Sequence, residues 1–293
     1  MMSTSPSTLP AVIRVAHSPD SDDAFMFYAL ASGHVDTEGL TFEHILKDIQ
    51  TLNEEAFEGT YELTAMSYHA YAYLKDKYDI LSVGSSIGDK YGPVVVSTRP
   101  MSKDDLLGEG VTIAVPGLLT SAYLFLKLWL PEATTVVVPF DEIPDYVKAG
   151  KADAGLLIHE SQVTYMNEGF HRIVDLGQWW FEATNLVMPL GCNGIRKDLG
   201  PELMQKIARV LYRSVKWGLD NRAEALAGCK QYSRGLPEQL TDKFVAMYVN
   251  GMTLEADIEI RKATRLMLSM GHLSGLIPTE TAPIFVDTDM SMV

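Results

Sequence analysis

Short apolar runs alternate with segments of helical periodicity along the first two-thirds of the chain. The apolar runs predict strands at residues 12–16, 40–46, 62–66, 80–83, 94–97, 111–115, 135–138 and 154–158. The segments between them predict helices at residues 22–31, 49–57, 68–74, 120–129 and 142–149. Strands that alternate with helices are typical of an α/β protein with a mostly parallel sheet.

The pattern changes after Asp198, beyond which strand-like alternation returns only weakly, at residues 284–286. Amphipathic segments predict helices at residues 201–219, 221–227, 237–248 and 255–270. We therefore expect the last third of the chain to be a helical segment that covers the α/β part.

Two extended segments beside glycine and proline residues predict crossovers between two lobes, near residues 93–97 and 188–192. They divide the chain into a large α/β lobe with a helical tail, residues 1–96 plus 191–293, and an inserted smaller α/β lobe, residues 97–190. Paired crossovers are typical of a clamp that closes about a hinge. Ligands of open α/β sheets bind beyond the carboxyl ends of the strands, so we expect the ligand in the cleft between the lobes.

The composition is that of a soluble globular protein. Of the 293 residues, 47% are apolar and 21% are charged. The 38 acidic and 24 basic residues give a formal charge of −14, which disfavours a nucleic-acid partner because phosphate contacts need a basic face. No apolar run approaches the roughly 20 residues that span a bilayer. The first ten residues do not resemble a secretory signal, so we expect no membrane partner and a cytoplasmic location.

The loop after the first predicted strand carries hydroxyl and carboxylate groups at Ser18, Asp20, Ser21, Asp22 and Asp23. These groups could line a cleft, or they could form an N-cap with acids that complement a helix dipole. A divalent-cation site is disfavoured because the spacing lacks the glycine and the distant glutamate of a calcium-binding loop. Cys192 and Cys229 have no metal-binding or disulfide spacing. The sequence therefore implies no metal and no organic cofactor.

Two later strand ends carry further candidate groups. Thr120 and Ser121 open a predicted helix, and the hydroxyls and free N–H groups of a helix start can cap the helix or bind a carboxylate or phosphate. His159 follows a predicted buried strand. There it could exchange a proton near neutral pH, or it could be a satisfied structural residue.

Nine segments of the chain, taken in sequence order, resemble those of one family. They are residues 18–30, 48–53, 66–72, 92–96, 114–117, 120–123, 155–161, 174–180 and 189–191. Among them is Gly-Leu-Leu-Ile-His-Glu-Ser at residues 155–161. The family is the MqnA/MqnD menaquinone-biosynthesis family, and the chain is most similar to its MqnD branch. The resemblance covers residues 12–198 well and the helical tail more loosely. So many matches in order are more specific than any single motif.

The resemblance implies a type II periplasmic-binding-protein-like fold, with two α/β lobes, an interlobe cleft and a helical C-terminal segment. It implies a lyase that converts cyclic dehypoxanthinyl futalosine to 1,4-dihydroxy-6-naphthoate in the futalosine pathway, acting on an anionic small molecule without a cofactor. The family's base histidine corresponds to His159. Its substrate-binding segments correspond to Ser18, Asp22, Met66, Ser67, Tyr68, Thr120, Ser121 and Ala122.

The chain departs from the family's usual pattern at two places. Family members usually carry Ser-Pro-Cys-Pro-Asn-Asp-Thr, where this chain has the acids Asp20 and Asp22 in Ser-Pro-Asp-Ser-Asp-Asp-Ala. A basic residue often precedes the Ser-Tyr segment, where this chain has Ala65. Both changes predict a cleft that is less favourable to an aromatic carboxylate.

Three other functions remain open. The first is a non-catalytic solute-binding protein for an anionic metabolite, and the second is a chorismate dehydratase of the same pathway. The third is a serine hydrolase, because Gly-Ser-Ser-Ile-Gly at residues 84–88 matches the nucleophile elbow around Ser86. The elbow needs a helix directly after it, and Gly92-Pro93 prevents one, so this third function is disfavoured.

Overall fold

The protein is described by a computed structural model over residues 12–292. Its strands, in chain order, are β1 (Ile13–His17), β2 (Phe42–Leu46), β3 (Leu63–Ser67), β4 (Tyr78–Leu81), β5 (Ser86–Gly88), β6 (Val94–Ser97), β7 (Ile113–Val115), β8 (Thr135–Val137), β9 (Ala154–Leu157), β10 (His171–Asp175), β11 (Met188–Arg196) and β12 (Phe285–Val286). Its α-helices are α1 (Ser21–Ala31), α2 (Ile49–Glu55), α3 (Tyr68–Leu74), α4 (Ser121–Trp129), α5 (Ile143–Lys148), α6 (Ser161–Thr164), α7 (Leu176–Thr184), α8 (Gly200–Asp220), α9 (Arg222–Cys229), α10 (Glu238–Tyr248), α11 (Gly251–Leu254) and α12 (Ile258–Leu273).

The strands form two separate sheets. The first has the order β12-β4-β11-β3-β1-β2, with β5 paired to the start of β11, and the second has the order β10-β6-β9-β7-β8. The chain passes from the first sheet to the second between β5 and β6, and it returns between β10 and β11. The predicted lobe boundaries at residues 96/97 and 190/191 therefore fall inside β6 and β11, and the division into lobes remains a prediction.

Both sheets are mixed, which corrects the expectation of a mostly parallel sheet. β1 is parallel to β2 and β3, and β7 is parallel to β8 and β9. Every antiparallel pair involves β6 or β11, the two strands by which the chain changes sheet. These strands run against their neighbours because the chain re-enters each sheet from the opposite end.

The apolar pattern does not predict β5, β10 or the full length of β11. β11 contains Pro189, Gly191 and Gly194, which weaken a sequence signal that depends on apolar side chains. The glycine at position 194 has a packing reason, because a Cβ there would lie 2.1 Å from Met66 Cε. The strand is thus specified by its neighbours and not by its own periodicity.

The two crossovers lie against each other. The Leu176 N–H donates to Pro93 O over 2.9 Å. A Cβ on Gly177 would lie 2.0 Å from the carbonyl of Tyr91, so no larger residue fits at this position. The connection between the sheets is therefore narrow and closely packed.

The predicted helical C-terminal segment is confirmed, and it holds α1 in place. Ser214 Oγ, on α8, donates to Met26 O over 2.7 Å and accepts from Leu30 N. Arg209, also on α8, makes two hydrogen bonds to Glu38, just beyond α1, and together with Arg213 these bonds lower the pKa of Glu38 to about 2. No helix within residues 12–292 has both the length and the apolar character needed to cross a membrane.

Candidate active site

A cavity of about 110 Å³ lies between the elements of the two sheets. It is lined by eight of the nine residues that the resemblance predicted: Ser18, Asp22, Met66, Ser67, Thr120, Ser121, Ala122 and His159. Tyr68 is not among the lining residues, since it is fully buried with its hydroxyl 2.8 Å from Ser85 Oγ. Their roles stay predictions, but their shared location makes this cavity the candidate site.

His159 occupies a turn directly after β9. Its backbone has φ of 56°, in the left-handed region where histidine is more common than most residues. The His159 carbonyl accepts a hydrogen bond from Gln162 N, which fixes the turn. Holding a residue other than glycine in this region costs roughly 1–3 kcal/mol, and residues strained in this way cluster at functional sites in proteins.

His159 forms a buried ion pair with Asp20. His159 Nδ1 lies 2.8 Å from Asp20 Oδ2, and Asp20 is completely buried. Burial lowers the pKa of His159, but the close contact and charge of Asp20, together with the neighbouring carboxyls of Glu160 and Asp22, outweigh it and raise the pKa to about 9. Burial likewise raises the pKa of Asp20, and the charges of His159 and Arg234 outweigh it, so the pKa is lowered. At neutral pH this geometry holds an imidazolium against a carboxylate.

Two further carboxyls follow Asp20 in α1. Burial and the neighbouring charge of Asp23 raise the pKa of Asp22 well above its ordinary value, and Asp22 Oδ1 has no hydrogen-bond partner among residues 12–292. Asp23 Oδ2 accepts from Ser18 N over 2.7 Å, and burial raises the pKa of Asp23 to about 6. Burial therefore favours the protonated form of Asp22, and in that form its carboxyl can donate a hydrogen bond.

The N-cap predicted for this loop takes a different form. Asp20 is the N-cap residue of α1, but its side chain makes no capping hydrogen bond. Its carboxylate is instead used by His159 and Arg234. The loop therefore does start the helix with an acid at the N-cap and with Asp22 and Asp23 in the first turn, whereas the side-chain capping hydrogen bond is absent.

The two hydroxyls at the start of α4 already make hydrogen bonds to other groups of the protein. Thr120 Oγ1 donates to Gly117 O and accepts from Tyr123 N, as a helix cap. Ser121 Oγ donates to Leu190 O over 2.6 Å and accepts from His69 N. The backbone amides of Ser121 and Ala122 precede the first intrahelical bonds, so they remain the groups that can bind an anion.

Further hydrogen bonds join the loop around His159 to the other side of the cleft. Ser21 Oγ donates to Glu160 Oε1 over 2.7 Å, and the Tyr248 hydroxyl, at the end of α10, donates to Gln162. Together with the Asp20–His159 pair, these contacts join the two sides of the cleft. Gln162 and Tyr248 line the cavity, yet no motif in the sequence marks them.

Asn193, on β11, is another lining residue that the sequence did not indicate. Its amide Nδ2 donates to Gly84 O over 2.9 Å, whereas its buried Oδ1 has no partner among residues 12–292. A buried acceptor without a partner is uncommon, and a ligand hydroxyl or N–H could satisfy it. Asparagine on a strand with a weak sequence pattern gives no signal that would have identified it.

Two other chemistries find little support here. Ser86 begins the short strand β5, which pairs with β11, so the helix that a nucleophile elbow requires does not follow it. Cys192 lines the cavity, but burial raises the pKa of its thiol, which keeps it protonated. Within residues 12–292 no group of three or more His, Cys, Asp or Glu side chains is placed to hold a metal ion.

A family model described as menaquinone biosynthesis matches residues 13–272 of the chain. The chain belongs to this menaquinone-biosynthesis family. The 1,4-dihydroxy-6-naphthoate synthase of Thermus thermophilus is 37% identical over 274 residues, which are 94% of this chain and 99% of that protein. The predicted family membership is thereby confirmed, as is the prediction of an enzyme similar to these synthases.

Solved structures confirm the fold expected for this member of the menaquinone-biosynthesis family. A crystal structure of a protein from Archaeoglobus fulgidus superimposes with a TM-score of 0.87 at 46% identity, covering 91% of this chain and 99% of that one. The alkanesulfonate-binding protein of Xanthomonas axonopodis superimposes with a TM-score of 0.68 at 14% identity, covering 96% and 100%. The second likeness concerns the fold alone, and it is the predicted periplasmic-binding-protein-like fold.

Proposed function

We propose that the protein is a lyase that converts cyclic dehypoxanthinyl futalosine to 1,4-dihydroxy-6-naphthoate, with His159 as the general base. The observation that carries the proposal is the buried His159–Asp20 pair at a cavity between the two sheets. Family membership and the naphthoate synthase of Thermus thermophilus support the reaction class. The identity of the substrate rests on the resemblance.

The Asp20 carboxylate orients the imidazole. With Nδ1 of His159 against Asp20, the ring exchanges protons through Nε2, which has no hydrogen-bond partner among residues 12–292. Aspartate orients histidine in this manner in catalytic triads. The base must lose its resting proton first, because a pKa near 9 leaves only about one imidazole in a hundred neutral at pH 7.

The carboxylate end of the substrate is assigned to the start of α4. The amides of Ser121 and Ala122 offer N–H donors at the positive end of the helix dipole. Asp22, in the protonated form that burial favours, adds a donor for an oxygen of the substrate. Closing of the cleft excludes water from these groups and strengthens each of these interactions.

The two extra acids of the loop do not exclude an anionic substrate. Asp20 lies between two cationic groups, His159 and Arg234, and burial favours the protonated form of Asp22. Neither residue therefore adds an uncompensated negative charge to the cavity. From the sequence alone, Asp20 and Asp22 look like two free negative charges, which is why the sequence predicts a cleft less favourable to a carboxylate.

The proposal is tested by incubating the purified protein with cyclic dehypoxanthinyl futalosine and, separately, with chorismate. Products are identified by liquid chromatography and mass spectrometry. Formation of 1,4-dihydroxy-6-naphthoate supports the proposal. Turnover of chorismate alone would identify a dehydratase, and binding of the futalosine derivative without any product would identify a solute-binding protein.

A further inference from the structure

Four side chains form a closed ring of contacts at one end of the cleft. Asp20 contacts His159 over 2.8 Å, and the His159 ring lies 4.3 Å from that of Phe140, centroid to centroid. The guanidinium of Arg234 lies over the Phe140 ring at 4.5 Å, and Arg234 Nη2 donates a hydrogen bond to Asp20 Oδ1 over 3.0 Å. Each side chain of the ring thus touches two of the others.

The ring joins separate parts of the fold. Asp20 directly precedes α1, and Arg234 lies in the turn between α9 and α10, so both accompany the first sheet. Phe140 follows β8 and His159 follows β9, so both accompany the second sheet. The Asp20–Arg234 contact is therefore made within one side of the cleft, whereas the contacts of His159 with Asp20 and of Phe140 with Arg234 cross it.

Asp20 is the shared element of the ring. Its carboxylate is completely buried, with one oxygen on Arg234 and the other on His159. A buried carboxylate without a cation would be protonated. Because Arg234 lies on the same side of the cleft as Asp20, its charge favours the ionised carboxylate independently of His159.

Arg234 also reaches beyond Asp20. Its Nη1 lies 3.9 Å from Asp141 Oδ2, next to Phe140 in the chain. A guanidinium can pair with carboxylates at its edges while its face stacks on an aromatic ring, which a lysine ammonium does less well. One side chain thus contacts both sides of the cleft.

We propose that Arg234 is a positioning residue that contacts Phe140 and Asp141 across the cleft and shares Asp20 with His159, so that Arg234 limits how strongly Asp20 holds the proton of the imidazole. The expected effect of Arg234 on the reaction rate rests on the proposed function, whereas its expected effect on the protonation of His159 does not. The charged and titratable groups around His159 and its partner are Asp20, Asp22, Asp23, Glu160, Arg234, Asp141 and Tyr248.

The positive charge of Arg234 competes with His159 for Asp20. Without Arg234 the carboxylate interacts with the imidazolium alone, so the pKa of His159 rises above about 9. Without the Asp20 charge, burial dominates and the pKa of His159 falls. The loss of Arg234 and the loss of the Asp20 charge therefore shift the pKa of His159 in opposite directions.

The test is a histidine titration of the full chain by proton NMR, with the His159 signal assigned from its loss in His159→Gln. In Arg234→Gln we expect the His159 pKa to rise by about one unit, and in Asp20→Asn to fall by about two or more. Arg234→Lys should restore most of the wild-type value. At pH 7 the first variant should also lower kcat/KM about tenfold, since the neutral fraction of His159 falls by that factor.

The matched control is Arg222→Gln. Arg222 likewise pairs with an aspartate, Asp242, over 2.6 Å and lies over a phenylalanine ring, Phe25, but these contacts involve neither Asp20 nor His159. Its loss should leave the His159 titration unchanged. A wild-type His159 that titrates near 6.5, or an Arg234→Gln variant that titrates like wild type or lower, would overturn the inference. A normal set of titration shifts without turnover would overturn the proposed function alone.

Discussion

Asp20 Oδ2 lies 2.8 Å from His159 Nδ1, so the carboxylate before α1 and the imidazole after β9 form an ion pair across the cleft. Asp20 is completely buried, the His159 side chain is 14% exposed, and the two residues are 139 positions apart in the chain. The pair gives the imidazole a fixed direction and a raised proton affinity at once. Both properties lead to measurable predictions.

Replacing His159 with asparagine should abolish most turnover and preserve the fold. Asparagine accepts the left-handed backbone that His159 adopts at φ 56°, so the turn after β9 should persist. We expect kcat to fall by about 10²- to 10⁴-fold, the usual contribution of a general base. Product binding, measured by calorimetry with 1,4-dihydroxy-6-naphthoate, should survive. The control is His171→Asn, an exposed histidine on β10, and equal activity in the two variants would remove His159 from the mechanism.

The wild-type rate should rise with pH. His159 acts as a base only when neutral, and its pKa in the closed cleft is raised to about 9. We therefore expect kcat/KM to increase roughly tenfold per pH unit from pH 7 and to level off near pH 9. Initial rates in overlapping buffers measure this profile. A rate that is flat over this interval, or that falls, would contradict a base with this proton affinity.

Asp22 should act as a hydrogen-bond donor that is lost on ionisation. Raising the pH ionises its carboxyl and places a buried negative charge beside an anionic ligand, so affinity for 1,4-dihydroxy-6-naphthoate should weaken. Asp22→Asn keeps an N–H donor and cannot ionise, so its affinity should depend less on pH, whereas Asp22→Ala should bind about tenfold more weakly. Because His159 titrates in both proteins, the difference between the two calorimetric profiles isolates Asp22. Identical profiles for wild type and Asp22→Asn would show that Asp22 is not the neutral donor.

Much of this site could be predicted from the sequence, because its parts lie at the ends of strongly patterned elements. The strand before His159 is a continuous apolar run, the strand before Ser18 is mostly apolar apart from Arg14 and His17, and the ends of both strands mark the cleft. The partner of His159 could not be predicted, since the contact with Asp20 depends on how the two sheets face each other. Arg234 lies in a polar turn without any motif, and only the three-dimensional structure brings it to Asp20.

The Ser121 hydroxyl should matter for stability more than for substrate binding. Its bonds to Leu190 O and His69 N tie the start of α4 to β11 and α3. Ser121→Ala leaves the buried His69 N–H and the partly buried Leu190 carbonyl without this partner, so the free energy of unfolding in urea should fall by about 1–3 kcal/mol. The amide that is assigned to the substrate remains, so KM should change less than about threefold. Ser102→Ala, which removes a surface bond to Asp105, is the control with little effect on either quantity. A large rise in KM without loss of stability would assign the hydroxyl to the substrate instead.

Gly177 should be irreplaceable because the two crossovers touch at this residue. A Cβ there would lie 2.0 Å from the backbone carbonyl of Tyr91, and backbone cannot move aside as a flexible side chain can. Gly177→Ala should therefore lower the free energy of unfolding by about 2 kcal/mol or more and the melting temperature by at least about 4 °C. Gly251→Ala is the matched control, since nothing lies within 4 Å of a Cβ at that position and its stability should change by less than about 0.5 kcal/mol. Separation of the crossovers should also shift the two sides of the cleft relative to each other. We therefore expect Gly177→Ala to lower kcat/KM even at temperatures where the variant is fully folded. Wild-type stability in this variant would show that the crossovers tolerate separation and that their contact does not constrain the hinge.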